Sequence, residues 1–590
     1  MGETTYGGEE IGRVLKDEGV EYFFGIGGGH MWGIMLGVAE ADIKLITMRH
    51  EQAGAYAADA YARACQKPGI CYGTAGPGME NMVSAIGQAF LCRSPIVGIF
   101  GQHNTFEDGL RGLQVGSASD VLRTVTKFAL RVVEGNNVAY WTRRAIRESL
   151  TFPQGPVALE FPPIASLVRY KKKWNRFDNW QGPVSTPTLG PGDPNSVEKI
   201  VDRLINAETP MIMAGDGVYW SNASAELKEL VELLQIPVNT RRMGRGSVPD
   251  DHPLAVSGGY RGKMLNKSDF ILTIGHPIGY LENYAQTPPF GNWNPEARYA
   301  QITEDPNDIC LMIPTEVEVI GNIKAVLRQM IDCATPLVKG KAVRKAWVGQ
   351  IAEGREYLRQ KQQAQEAESA SSSTCLHPAT VGREIATFLD SSARDATVIY
   401  DAYTGTAFLT DRLTTRFAGQ VLDAGEQGGV GHGVGMGIGA QLARPGKPVL
   451  VNMGDLGMGI GGMDVETAVR NKLPVVYLVH SNGVGMSGIT ETYFARTKMT
   501  TALKFTDNVK YNVMFEQLGI HSEHVEKAED VRPALERAFN SGKTSVVNVF
   551  TDPYVNNPLN LSPLMLGSIS MMSPDQCPPE GAELLTKFRS

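Results

Sequence analysis

The chain has 590 residues, 42% hydrophobic and 20% charged, an ordinary globular mix with length for about three or four domains. A net charge of −7 with no long basic run excludes a nucleic-acid footprint. No apolar run reaches the roughly 18 residues of a membrane span, and the N-terminal stretch has no basic region followed by an apolar core, so neither a membrane partner nor a secretory signal is expected. The seven cysteines are scattered without a CxxC pair, which fits a reducing cytoplasm and argues against zinc.

The first third alternates helix, strand and loop. Residues 8–18 read as a helix, 21–25 as a strand, and Gly27-Gly28-Gly29-His30 as a loop before a helix over 31–39. A strand over 43–48 ends at Arg49-His50-Glu51, and an alanine-rich helix covers 52–64. A strand over 69–72, a loop over 73–78, a helix over 79–91 and a strand over 95–100 follow. This order predicts a parallel sheet with helices on its faces. Glu51 is either a first-turn carboxylate favoured by the helix dipole or a functional acid. His30 is either a packed loop residue or a proton-transfer group. Gln114, in Gly112-Leu113-Gln114, is a loop amide with the same two readings.

Residues 171–195 are basic and then proline-rich, and read as a linker. A second α/β unit spans 196–335, with a strand over 210–214 leading into Gly215-Asp216-Gly217. Arg241, Arg242 and Arg245 are either solvated charge or a clamp for nucleotide phosphates, which guanidinium geometry suits. Residues 336–376 are a charged helix-forming stretch ending in a serine-rich linker.

The last unit, 377–551, opens with a strand over 398–401 and the loop Ala402-Tyr403-Thr404-Gly405-Thr406. A glycine-rich segment covers 425–439. Two apolar runs, 449–453 and 474–479, flank Gly454-Asp455, a glycine-rich loop and a helix-like segment over 465–471. Strands buried on both faces read as continuous apolar runs, so this is a βαβ unit. Asp455 and Asn482 then lie beyond the carboxyl ends of two parallel strands, the edge where open α/β sheets bind ligands. One carboxylate, one amide oxygen and a loop carbonyl form an oxygen cluster that suits Mg²⁺, and the glycines let backbone N–H groups approach a phosphate. The plainer alternative is a βαβ unit with a polar strand end. The tail, 552–590, is apolar and contains methionines, as an active-site lid or a packing segment between subunits would.

Asp455 and Asn482 lie 27 residues apart, and this stretch resembles the thiamine-diphosphate enzyme signature, which opens with Gly-Asp-Gly and closes with Asn. Leu456 departs from it, standing where that family has a small residue. Arg49-His50-Glu51, followed about 25 residues later by Gly76-Pro77-Gly78, resembles the family's pyrimidine-binding domain. The segment around Gly433-Val434-Gly435-Met436-Gly437 resembles oxalyl-CoA decarboxylases and 2-hydroxyacyl-CoA lyases. The resemblance implies three doubly wound parallel-sheet domains: pyrimidine-binding (1–170), a six-stranded Rossmann-like middle, and diphosphate-binding. It implies Mg²⁺ held by Asp455, Asn482 and the Val484 carbonyl. Around the cofactor it places Gly76, Thr404, Gly405, Thr406, Gly454, Leu456, Gly457, Gly485 and Met486. Val430 or His432 falls where a bulky residue props the cofactor in its bent form. Glu51 exchanges a proton with the cofactor's aminopyrimidine ring. His30 and Glu491 are acid/base candidates near the reacting carbon, and Gln114 orients the bound intermediate.

The activity so implied is a 2-hydroxyacyl-CoA lyase, of the actinobacterial-type branch, that releases formyl-CoA and a ketone or aldehyde, with Arg241, Arg242 and Arg245 on the coenzyme A phosphates. Oxalyl-CoA decarboxylase or an acetolactate-synthase-like carboligase is the runner-up. A cytoplasmic homodimer or homotetramer with active sites between subunits is expected. A dinucleotide oxidoreductase fits less well. Gly457, Gly459 and Gly462 do form GxGxxG, but the position about 20 residues on is Asn482 and not the acid a ribose needs.

Overall fold

The computed structural model describes residues 4–172, 182–288, 291–338, 344–370, 375–401, 405–485, 487, 503–507 and 509–555. Three parallel sheets with helices against them organise the chain, as the alternating pattern predicts. The first contains β1 (Tyr22–Gly25), β2 (Lys44–Thr47), β3 (Gly69–Gly73), β4 (Ile96–Gly101), β5 (Ala129–Arg131) and β6 (Val157–Phe161), in the spatial order β2-β1-β3-β4-β6-β5. The second contains β7 (Pro210–Ala214), β8 (Val238–Thr240), β9 (Phe270–Ile274), β10 (Arg298–Thr303) and β11 (Thr315–Ile320), in the order β8-β7-β9-β10-β11. The third contains β12 (Thr397–Tyr400), β13 (Val421–Leu422), β14 (Val449–Gly454), β15 (Val475–Ser481), β16 (His521–Val525) and β17 (Ser545–Phe550), in the order β13-β12-β14-β15-β17-β16.

The first and third sheets thus share one topology, with strand order 2-1-3-4-6-5. Each reverses direction between its first and third strands, and that switch point opens a crevice at the carboxyl ends. The second sheet has five strands among the described residues, not the six expected. Beside β8 a single parallel bridge, Val238 to Ala255, stands where a further strand would be. Central strands β3, β4, β6, β14 and β15 are buried along their whole length, which is why they read as unbroken apolar runs.

Two local expectations change. The segment after Asp455 is a short helix and not a loop. The expected helix over 79–91 is two, Pro77–Glu80 and Val83–Leu91. The glycine-rich segment from 433 onward is a fully fledged helix. We label α1 as Glu51–Cys65, α2 as Gly433–Ala443 and α3 as Asp455–Gly461. Helices α1 and α2 lie side by side, and a Cβ built on Gly435 would come 2.5 Å from the Ala53 carbonyl oxygen. Gly439 meets the Ala57 carbonyl in the same way one turn later. Glycine on one helix and alanine on the other are what let two backbones approach this closely. One apolar cluster accordingly runs from Phe24, Tyr56 and Ile86 of the first sheet's layers to Val434, Val451 and Val479 of the third.

His480 lies on the other face of β15, with Val476 and Leu478; it is 3% exposed and donates from Nε2 to the Asn452 side-chain oxygen at 2.7 Å. Burial holds the imidazole down to about 3, against an ordinary value of 6.5. The unfolded chain therefore binds this proton more tightly than the fold does between those two values. The contribution to stability is whole above pH 6.5 and is lost as the pH falls towards 3. Thermal melts across that window should show a falling midpoint, and His480→Gln should flatten the slope.

Candidate active site

At the crevice of the third sheet, Asp455 and Asn482 follow directly on β14 and β15. Asp455 Oδ2 accepts from the backbone N–H of Asn482 at 2.9 Å and of Gly483 at 2.7 Å, and Oδ1 accepts from Leu456 N–H at 2.8 Å. The Asn482 side-chain oxygen accepts from Val484 N–H at 3.0 Å, closing a tight turn in which Gly483 has φ 69°. The carboxylate, the amide oxygen and the Val484 peptide are thereby drawn into one small volume. Burial pushes the Asp455 carboxyl up from the usual aspartate range, opposed by the three backbone donors. It is 5% exposed and pairs with no cationic side chain among the described residues. A buried carboxylate in that condition fits a bound cation. Among the described residues no three His, Cys, Asp or Glu side chains form a metal cage. The donor set is one carboxylate plus neutral oxygens, which suits Mg²⁺ that keeps phosphate or water ligands.

The neighbouring residues fit an anionic cofactor. Gly454 caps α3, and Leu456 leaves its side chain 37% exposed. A Cβ on Gly457 would stand 3.0 Å from the Asp401 carboxylate, so glycine is needed there. Gly405 caps a short helix, and the Thr406 hydroxyl is buried without a hydrogen-bond partner among the described residues. Gly485 donates to the Leu503 carbonyl at 2.8 Å, steadying the far side of the turn. Thr404, Met486 and Glu491 lie outside the described residues, as does the tail from 556 onward.

The switch point of the first sheet gathers His30, Thr74 and Gln114. His30 Nδ1 is 3.2 Å from the Thr74 hydroxyl, which donates to the Gln114 side-chain oxygen at 3.4 Å. Gln114 has φ 56°, a left-handed conformation that costs a non-glycine residue energy. Gly76 is also left-handed, with φ 56°, and a Cβ there would come 3.0 Å from the Gln114 carbonyl. Glu51 opens α1, half-buried, and accepts from Asn81 Nδ2 at 2.9 Å. Asp464, a few residues past α3, accepts from the backbone N–H of Arg49 at 2.8 Å and of His50 at 3.2 Å. Arg470 adds a bond to the Thr47 carbonyl at 2.6 Å. The turn that presents Glu51 is therefore fastened to the unit that carries Asp455.

Two expectations are corrected by burial and pairing. His432 is 0% exposed and donates from Nε2 to the Tyr400 carbonyl at 2.9 Å, so it faces the core and has no surface for a cofactor. Val430, two residues earlier, is half-buried. Arg241, Arg242 and Arg245 do not form a phosphate clamp. Arg241 pairs with Glu282 at 3.0 Å, Arg242 with Asp216 at 3.3 Å and with Glu426, and Arg245 with Asp250 at 2.8 Å.

Sequence reasoning passed over Thr74, Asn81, Asp401 and Asp464. Asp401 is fully buried and accepts from Gly431 N–H at 3.0 Å and Gly433 N–H at 2.8 Å, which pins the start of α2. Its signal was present: like Asp455, it is an acid directly after an apolar strand.

Comparison with known proteins gives three consecutive family matches. Residues 5–121 match the thiamine pyrophosphate enzyme N-terminal TPP binding domain, 197–330 the central domain and 406–549 the C-terminal TPP binding domain. A probable acetolactate synthase of Mycobacterium bovis is 31% identical over 94% of this chain and 97% of its own. Human 2-hydroxyacyl-CoA lyase 1 is 25% identical over 93% and 95%. The oxalyl-CoA decarboxylase of Escherichia coli is 26% identical over 93% and 96%.

Removing the Asp464 carboxylate takes the acceptor from the part-buried N–H groups of Arg49 and His50 and from the buried Thr467 hydroxyl, at a cost of about 1–3 kcal/mol. Asp464→Ala should lose that much stability in denaturant titration. Amide exchange in residues 47–52 should rise with it.

Proposed function

The chain belongs to the thiamine pyrophosphate enzymes, and from that premise we propose that it is a 2-hydroxyacyl-CoA lyase. It cleaves a 2-hydroxyacyl-CoA, such as 2-hydroxyisobutyryl-CoA, reversibly into formyl-CoA and a ketone or aldehyde. The observation that carries the reading is the His30–Thr74–Gln114 cluster at the crevice of the first sheet. It puts a proton-transfer group beside an amide, in a chain whose relatives include enzymes named for CoA substrates along nearly their full length.

Bound thiamine diphosphate supplies a sink for the carbanion left when the C–C bond breaks. Asp455, Asn482 and the Val484 carbonyl are the residues that would hold Mg²⁺ beside the diphosphate. Glu51, kept in place by Asn81, would exchange a proton with the cofactor's ring nitrogen. Thr74 engages His30 Nδ1 and leaves Nε2 to take the proton from the substrate's C2 hydroxyl. As that O–H bond breaks the carbonyl forms, and the C1–C2 electron pair stays on C1. A proton delivered to C1 gives formyl-CoA, so atoms and charge balance. Glu491 is the second candidate for these transfers. Cytoplasmic location, a homodimeric or homotetrameric assembly and a lid role for the tail belong to the same proposal.

The 31% identity to an acetolactate synthase favours a second reading, a carboligase acting on 2-oxoacids. Products separate the readings. Incubation with 2-hydroxyisobutyryl-CoA should give formyl-CoA and acetone. No turnover of that thioester, with acetolactate from pyruvate or CO₂ from oxalyl-CoA instead, overturns the lyase assignment. Glu51→Gln should lower kcat by about 100-fold or more while the fold persists. Asp455→Ala should abolish Mg²⁺-dependent binding of thiamine diphosphate, read by calorimetry.

A further inference from the structure

Arg242 is the one member of the arginine trio whose partners come from all three units. It follows β8, is almost fully buried, and has φ 51°, a strained conformation for an arginine. Its guanidinium pairs with Asp216 of its own unit and with Glu426 of the third, and lies 3.6 Å from the Cys92 sulfur of the first. A Cβ on Gly425 would collide with the guanidinium, so glycine at that position is what admits it.

Glu426 belongs to the turn over 423–431, which ends at α2 and carries Val430. Three glycines in this turn, at 425, 428 and 431, have positive φ and offer no side chain to anchor it. Its far end is held by Asp401 through the Gly431 N–H. Its near end is held by Arg63, which donates to the Asp423 carbonyl at 2.7 Å. Between those two points Glu426 to Arg242 is the only ion pair among the described residues. The turn also packs against the Val83–Leu91 helix of the first unit and bonds to itself through Gly425 N–H to Asp423 Oδ1 at 3.0 Å, so the Arg242 pair is its charged anchor from the second unit.

We propose that Arg242 is a positioning residue: by gripping Glu426 it sets the course of the 423–431 turn and so the place of Val430 against the cofactor. The inference rests on the cofactor reading above. It gives the second sheet's unit a mechanical part in a site to which it contributes no ligand.

The test uses the full chain with Arg242→Met, Glu426→Gln, the double variant and Arg242→Lys. Thiamine diphosphate affinity is read from tryptophan fluorescence at saturating Mg²⁺. Hydrogen exchange of a peptide covering 424–431 is read in the absence of cofactor. Each single uncharged variant should weaken cofactor binding about tenfold and speed exchange in the turn. The double variant should do no more than either single, and Arg242→Lys should recover part of the loss. Where Arg242→Met does not fold, Glu426→Gln decides alone, because it leaves the Arg242–Asp216 pair intact. A lower melting temperature with unchanged affinity and unchanged exchange overturns the proposal, since that is what a purely structural ion pair would give. If the wild-type chain binds no thiamine diphosphate, the cofactor reading fails, and exchange in the turn still judges the grip.

Discussion

The contact between α1 and α2 is what the remaining geometry depends on. Gly435 and Gly439 lie against the carbonyls of Ala53 and Ala57, backbone to backbone, with no side-chain layer between. Glu51 opens one of these helices and Gly433 opens the other. Their direct apposition sets the first sheet's acid and the third sheet's glycine turn in one frame. Asp464 and Arg470 then close the frame at the Thr47–His50 turn. Interiors packed at this density do not give way gradually, so a shift in either helix would be passed to both crevices.

The third unit has three buried aspartates, and their surroundings separate their roles. Asp401 and Asp464 spend their oxygens on backbone donors of distant turns, 0% and 1% exposed. Their charge is neutralised by peptide dipoles, and they shape the chain. Asp455 also accepts backbone N–H groups, yet an amide oxygen and a peptide carbonyl stand next to it. Desolvation still weighs on its ionised form. A carboxylate left with that burden is the one a cation relieves.

Much of the fold was readable because its signals are local. Buried strands are unbroken apolar runs, and the spacing of Asp455 from Asn482 is a property of one βαβ unit. The pairing of His30 with Gln114 was not local, and Thr74, the residue that joins them, carries no signal of its own. The arginine trio failed for the same reason. Arg242 and Glu426 stand 184 residues apart, and nothing near Arg242 announces a carboxylate waiting in another unit. His432 misled because a histidine among glycines looks accessible, whereas those glycines belong to a packed helix that draws it inward. The short helix α3 was taken for a loop since glycine content speaks against helix, and here the tertiary setting prevails.

The matching strand order of the outer sheets gives one chain two crevices of the same design. The two crevices lie at the same place in their sheets and are lined by different side chains. One is lined by the Asp455 carboxylate and the Asn482 amide, the other by the His30 imidazole and the Gln114 amide. Because each lining belongs to its own sheet, side chains in one crevice can be exchanged without recasting the strands that frame the other.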